Sequence, residues 1–198
     1  MPRVKASPLR KQVRAKIVDS ILDATEEVAI EAGIGGLTVG AIAAKAGVAV
    51  GTLYNYYVNT DAIIAALFKA RTAEMLPEIA AIGTSTATLA FEPRLRSVVG
   101  QLCTTYEAHA RFLRVAVQVD RIGNKMKPRD TTLVAATASV LLAVMKQGAK
   151  QKQFTAARAE PYARMLHGSL RAMFVWRLTE SSVAPVRADL LVDTFLHG

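Results

Sequence analysis

The chain has 198 residues, 52% of them hydrophobic but only 6% aromatic, with a formal net charge of +9. That length supports one sizeable core or a small domain joined to a larger one, and the composition suits Ala- and Leu-rich helices better than a sandwich of strands. A single cysteine, Cys103, excludes an internal disulfide and a cysteine-based metal cluster, and the three histidines, His109, His167 and His197, show no metal-ligand spacing.

The charge is unevenly spread. Residues 1–16 hold Arg3, Lys5, Arg10, Lys11, Arg14 and Lys16 and no acid, residues 17–61 hold one base (Lys45) against six acids, and the remainder holds 18 bases against 10 acids. The first nine residues, with Pro2 and Pro8, read as a loosely attached arm. Such an arm either tracks DNA phosphate or is a solvated tail that only adds charge.

A first long helix is expected from about residue 9 or 10 to Ala32, with Ile17, Ile21, Ala24, Val28 and Ala32 as its apolar stripe. Gly33 ends it, Gly35 and Gly36 form a loop, and Thr38 is the natural N-cap of the next helix. There Val39, Ile42, Ala43 and Ala46 recur at helical spacing. Gly47 supplies a left-handed turn that a side chain would resist, and Val48 plugs it. Another helix is expected over residues 49–57. At about 100° per residue, Leu53 and Tyr57 share its inward face while Asn55 points away, flanked by Gly51 and Thr52 and edged by Tyr54 and Tyr56. A solvated helix usually carries Lys and Glu outward, whereas these are short or amphipathic hydrogen-bonding groups. Asn bonds bidentately to adenine in the major groove, Gly51 lets the backbone approach the duplex, and Tyr hydroxyls suit phosphates on the groove walls. The layout is that of a helix-turn-helix.

These residues resemble the DNA-binding domain of the TetR family, the tetracycline-repressor-like regulators. Thr38, Ile42, Ala43, Ala46, Gly47, Val48, Gly51, Thr52, Leu53, Tyr54, Tyr56, Asn59 and Asp61 agree with the family pattern at fixed spacing without a gap. Three positions depart from it. Ala49 replaces the Ser that often caps the recognition helix, Tyr57 replaces a Phe, and Thr60 replaces a Lys that tends to meet a phosphate; Thr60 keeps a hydroxyl able to cap the following helix. The resemblance covers about a third of the chain. It implies DNA contact by Thr38, Val50, Gly51, Thr52, Tyr54, Asn55, Tyr56 and Thr60.

The next helix is expected to start near Thr60 and Asp61 and to kink or end at Pro77. Residues 83–92 read as a loop, and Pro93 fits the first turn of a helix reaching about His109. Helices follow over residues 110–120, 130–151, 156–180 and 186–196. Residues 121–129 and 181–185 interrupt the pattern, and Phe154 and Thr155 form a connector. The expected architecture is all-α with about nine helices. Residues 1–59 form an N-terminal arm and helix-turn-helix domain, and residues 60–198 form a helical effector-binding and dimerisation domain.

For that second domain, Leu166, Leu170, Met173, Phe174 and Trp176, with Leu191 and Phe195 on the last helix, offer more apolar surface than one internal face needs, and a two-fold interface would bury them, as the resemblance implies. The alternative is that they complete the core. The resemblance also implies an effector site, for which Met75, Phe112, Val115, Gln118, Leu141, Met145 and Trp176 are candidates; plain core is the commoner role of such residues. The bases Arg111, Arg114, Arg121, Lys125, Lys127 and Arg129 read either as a solvated face or as an attraction for an anionic effector. Cys103 reads as a buried, inert thiol more readily than as an oxidant sensor.

The expected partners are double-stranded DNA, a small-molecule effector and a second copy of the chain; no membrane, cofactor, metal or catalytic residue is expected. The longest mostly apolar run, residues 133–145, is too short to span a bilayer, no apolar segment follows the basic N-terminus, and a cytoplasmic protein fits. No nucleophile elbow, phosphate-binding Gly loop, zinc motif or catalytic carboxylate pair is present, which weighs against an enzyme. The reading is a ligand-responsive repressor released from a palindromic operator. The competing reading is a sequence-tolerant, ligand-independent DNA-organising protein.

Overall fold

The computed structural model describes residues 8–122, 131–180 and 185–197. Among them every regular element is helical: α1 (Pro8–Ala32), α2 (Val39–Lys45), α3 (Val50–Tyr54), α4 (Thr60–Ser85), α5 (Phe91–Ala108), α6 (Ala110–Ile122), α7 (Thr132–Lys150), α8 (Ala159–Thr179) and α9 (Ala188–His197), with short 3-10 turns at Ile34–Gly36 and Ala156–Arg158. The all-α class is as expected. Most of the N-terminal arm, the interruption at 123–130 with its Lys125, Lys127 and Arg129, the side chain of Arg121, and the turn at 181–184 lie outside the described residues.

The described residues fall into two compact units, one made of 8–70 and 118–122, the other of 71–117, 131–180 and 185–197. The division falls inside α4. In the first unit α1 packs on α2, and α2 on α3. The face of α1 that it buries includes Ile21, Leu22, Ala24, Val28 and Ala29, while Ala32, expected at the end of that stripe, is exposed. The buried Thr25 hydroxyl donates to the Ile21 carbonyl at 2.7 Å, so its polarity is satisfied within the helix.

Pro77 neither ends α4 nor starts a loop; the helix continues to Ser85. An interior proline costs about 3 kcal/mol in lost bonding and ring clash. Met75, Ile79 and Ile82 beside it are buried, and each such burial returns roughly 1.5–3 kcal/mol, so packing outweighs the local preference. The expected loop over 83–92 shrinks to 86–90. Ala90, at the N-terminus of α5, has no capping side chain. The Phe91 N–H finds Gln151 Oε1 at 3.0 Å instead. Nearby, Gln147 donates to the Leu89 carbonyl at 2.7 Å and accepts from the buried Arg94 guanidinium at 2.6 Å. The corner before α5 is thus held from α7.

The core of the second unit is built by α5, α7, α8 and α9 around Leu95, Val98, Leu102, Leu141, Val144, Met145, Leu166, Leu170, Phe174 and Val192. α7 is long and apolar enough to cross a membrane by length and composition, which the shorter run seen in the sequence did not suggest. Its Thr137, Leu141, Val144, Met145 and Gly148 are buried, and it packs against α5 and α8, as a core helix does. A methyl group at Gly148 would lie 2.6 Å from the Phe91 ring and 2.9 Å from that of Phe154. Edge-to-face contacts run from Phe91 to Phe154, on to Tyr162 and then to Phe195, with centroids 5.6, 5.0 and 5.4 Å apart.

This packing bears on two sets of expectations. Leu166, Leu170 and Phe174 are buried in the unit's own core, and Leu191 and Phe195 pack against it; Met173 is half-buried. A second chain cannot cover the buried Leu166, Leu170 and Phe174, whereas Met173, Leu191 and Phe195 keep part of their surface. The apolar side chains that α8 leaves in solvent are Met165 (61% exposed) and Trp176 (57%), with Leu190 of α9 at 52%. Met165, Ser169, Ala172 and Trp176 recur at helical spacing and form an exposed stripe on a different face of α8 from Leu166, Leu170 and Phe174. For the effector candidates, Met75, Phe112, Val115, Leu141 and Met145 are buried, Gln118 is half-buried in the first unit, and Trp176 is exposed. Trp176 therefore lines no interior cavity. An open cleft of about 310 Å³ lies elsewhere, lined by Glu78, Ala81, Ile82 and Ser85 of α4 and Gln101, Thr104 and Thr105 of α5.

Candidate nucleic-acid interface

α2 is fixed at both ends. Thr38 is its N-cap, accepting at Oγ1 from the Ala41 N–H at 3.1 Å. At the other end Val48 N–H donates to the Ala43 carbonyl at 3.0 Å and Gly47 N–H to that of Ala44 at 3.3 Å, the paired bonds of a Schellman motif. That motif needs a left-handed residue, and Gly47 takes φ +68°. Ser20 Oγ of α1 donates to the Ala46 carbonyl at 3.2 Å, tying the turn to the first helix. Lys45 pairs with Glu31 at 2.6 Å and Glu27 at 3.5 Å, and the Glu31 carboxylate holds its ammonium above its ordinary range.

α3 is shorter than the sequence suggested, ending at Tyr54 rather than near residue 57. Asn55 is its C-cap, and the N–H groups of Tyr56 and Tyr57 both donate to the Leu53 carbonyl, at 2.9 and 3.0 Å. The chain tightens there, as helix ends commonly do. Ala49 precedes α3 with extended backbone and no capping side-chain bond, as expected of an alanine at that place. Leu53 is fully buried and Tyr57 half-buried. Burial pushes the Tyr57 hydroxyl up, while the nearby Arg14 charge acts the other way.

The opposite face is open. Val50, Gly51, Tyr54 and Asn55 are exposed and Thr52 is half-buried; Thr38 is exposed at the start of α2, and Tyr56 is half-buried just beyond α3. The cap of α4 belongs to Asn59, whose Oδ1 accepts from the Ala62 N–H at 2.9 Å. Thr60, expected to be able to cap, is instead the first helical residue and half-buried. Asn59 reaches the free N–H from one position earlier, which leaves Thr60 inside the first turn.

One contact was not foreseen. The Arg14 guanidinium of α1 stands over the Tyr56 ring, 4.9 Å from its centroid. A signal for it lies in the charge distribution, because residues 17–61 contain one base and the cations nearest in sequence are those of α1. At Cys103, in the second unit, burial and then the Glu107 carboxylate push the thiol up to about 11, which agrees with an inert thiol rather than a sensor.

Residues 21–67 match the family model of bacterial regulatory proteins, tetR family. No curated protein sequence matches the chain. Among solved structures, the fold is similar to that of the fatty acid degradation regulator FadR from Bacillus halodurans, with a TM-score of 0.70 at 19% identity, covering 98% of each chain. It is also similar to FadR from Bacillus subtilis in complex with stearoyl-CoA, with a TM-score of 0.73, 17% identity and coverage of 91% of this chain and 98% of that one. The MbdR regulator from Azoarcus sp. CIB gives a TM-score of 0.74 at 17% identity, covering 92% of this chain and 98% of that one.

Proposed function

We propose that this chain, a member of the TetR family of bacterial regulatory proteins through its residues 21–67, is a ligand-responsive repressor that binds a palindromic operator as a homodimer. The observation that carries the reading is the open face of α3. Val50, Gly51, Tyr54 and Asn55 are exposed while Leu53 is fully buried, so the helix is anchored from behind and offers hydrogen-bonding groups in front. Asn55, with Val50, Gly51 and Thr52, reads base edges; Thr38, Tyr54 and Thr60 lie toward phosphate, and the ring of Tyr56 borders the same edge. Residues 1–59 act as the DNA reader, residues 60–198 as the effector-binding and dimerisation part, and the proposed place of action is the cytoplasm.

The dimer uses the exposed α8 stripe of Met165, Ser169, Ala172 and Trp176 together with Leu190 of α9. The effector is a small molecule received by the second unit. The stearoyl-CoA complex of the Bacillus subtilis FadR makes a long-chain acyl-CoA the first compound to try. Release from the operator requires only that the ligand bind the DNA-free form more tightly than the DNA-bound form.

The experiment is selection from random duplexes at fixed salt, followed by titration of stearoyl-CoA against the selected duplex. Expected are a palindrome with half-sites about one helical turn apart and weaker binding as the acyl-CoA is added. Enrichment without a motif overturns sequence-specific repression. Selective binding that no acyl-CoA alters removes that ligand class and leaves the reader intact.

A further inference from the structure

The DNA-reading segment is poor in cations. Residues 21–67 contain a single base, Lys45, and it is paired with Glu31 and Glu27 of α1. Affinity for duplex DNA comes mainly from cations that replace condensed counterions at the phosphates, so this interface needs charge from outside that segment. Lys16 stands in a cleft with Asp19, Asp23 and Glu27, which offset its field. Arg14 is exposed, two turns into α1, and among the described residues no carboxylate pairs with it. Its guanidinium instead stands over Tyr56, immediately past the C-terminal end of α3.

We propose that Arg14 is a phosphate-binding residue of the DNA interface and that Tyr56 is its positioning residue. A ring engages the face of a guanidinium and leaves the N–H donors at its edge, the ones that bind phosphate bidentately. The contact therefore orders a long side chain before DNA arrives without using up its donors. It also brings a cation to the end of the recognition helix. Tyr56 then acts through its ring rather than through its hydroxyl. This rests on the DNA-reading function proposed above.

The test is fluorescence anisotropy of a duplex recovered by selection, measured across a KCl series for the full chain and for Arg14→Ala, Arg14→Lys, Tyr56→Phe and Tyr56→Leu. Each phosphate neutralised contributes roughly 0.9 to the slope of log affinity against log salt. Arg14→Ala is expected to lower that slope by about 0.9 for each bound protomer, with weakening on all duplexes alike. Arg14→Lys restores the slope but not the full affinity, because Lys lacks the planar fork. Tyr56→Phe keeps both; Tyr56→Leu keeps the charge but weakens binding. Circular dichroism of each variant establishes that the helices are intact. Tight, selective binding with an unchanged slope in Arg14→Ala overturns the assignment of Arg14 alone. Loss of affinity in Tyr56→Phe equal to that in Tyr56→Leu overturns the positioning role and returns Tyr56 to a hydroxyl donor. Absence of binding by the unsubstituted chain overturns the DNA-reading function and the role of Arg14 with it.

Discussion

Asn55 ends α3 with its side chain on the exposed face. If its amide reads an adenine bidentately, Asn55→Ala costs about 1–3 kcal/mol at that base and relaxes preference there. Repeating the duplex selection with the variant checks this, and an unchanged motif would remove Asn55 from base reading. At the other end of the polarity scale sits Cys103, its thiol held up at about 11 by burial and by Glu107. Burial likewise pushes up the hydroxyl of Tyr106, which shares a 2.7 Å hydrogen bond with Thr137. The sign for Cys103 is fixed by the unfolded thiol, which titrates near about 8.5. Below that value both states keep the proton and the contribution to stability is full. Between it and about 11 only the unfolded chain sheds the proton, so folding weakens as the pH rises. Urea unfolding measured from pH 8 to 11 should show this decline, and Cys103→Ala should flatten it in part.

At the scale of elements, two glycines in helices behave oppositely. Gly148 of α7 faces Phe91 and Phe154 at distances a methyl group cannot keep, so Gly148→Ala should destabilise by about 1–3 kcal/mol through overpacking. Gly100 of α5 has open space where its methyl group would go, so Gly100→Ala should stabilise by about 0.5–1 kcal/mol, the backbone entropy glycine otherwise loses. Thermal unfolding of the two variants side by side separates steric from entropic effects. Equal shifts in one direction would contradict the packing of α7 on the Phe91 corner.

For the whole molecule, the two faces of α8 differ in burial. Leu170 is fully buried whereas Trp176 is 57% exposed. Leu170→Ala should cost about 2–5 kcal/mol as a core deletion. Trp176→Glu should leave the thermal midpoint of the isolated fold nearly unchanged and shift the protein from dimer to monomer. Sedimentation equilibrium reads the second effect. A Trp176→Glu protein that remains dimeric would move the interface away from the α8 stripe.

Much was legible without coordinates, for local reasons. The Thr38 cap, the left-handed Gly47, the inward Leu53 and the outward Asn55 depend on spacing and on the conformational limits of a few neighbouring residues, and each stands where the periodicity put it. The helical class followed from composition and period in the same way. What needed the tertiary structure was decided by partners distant in sequence. Buried Met75, Ile79 and Ile82 carry α4 through Pro77, and Gln147 of α7 with Gln151 at its C-cap holds the start of α5. Which apolar face of α8 is core and which is open could not be read from a helix apolar on two sides, since periodicity finds faces but not their neighbours. Arg14 over Tyr56 is of the same kind. Sequence counted the cation, and only the packing of the first unit set it beside the recognition helix.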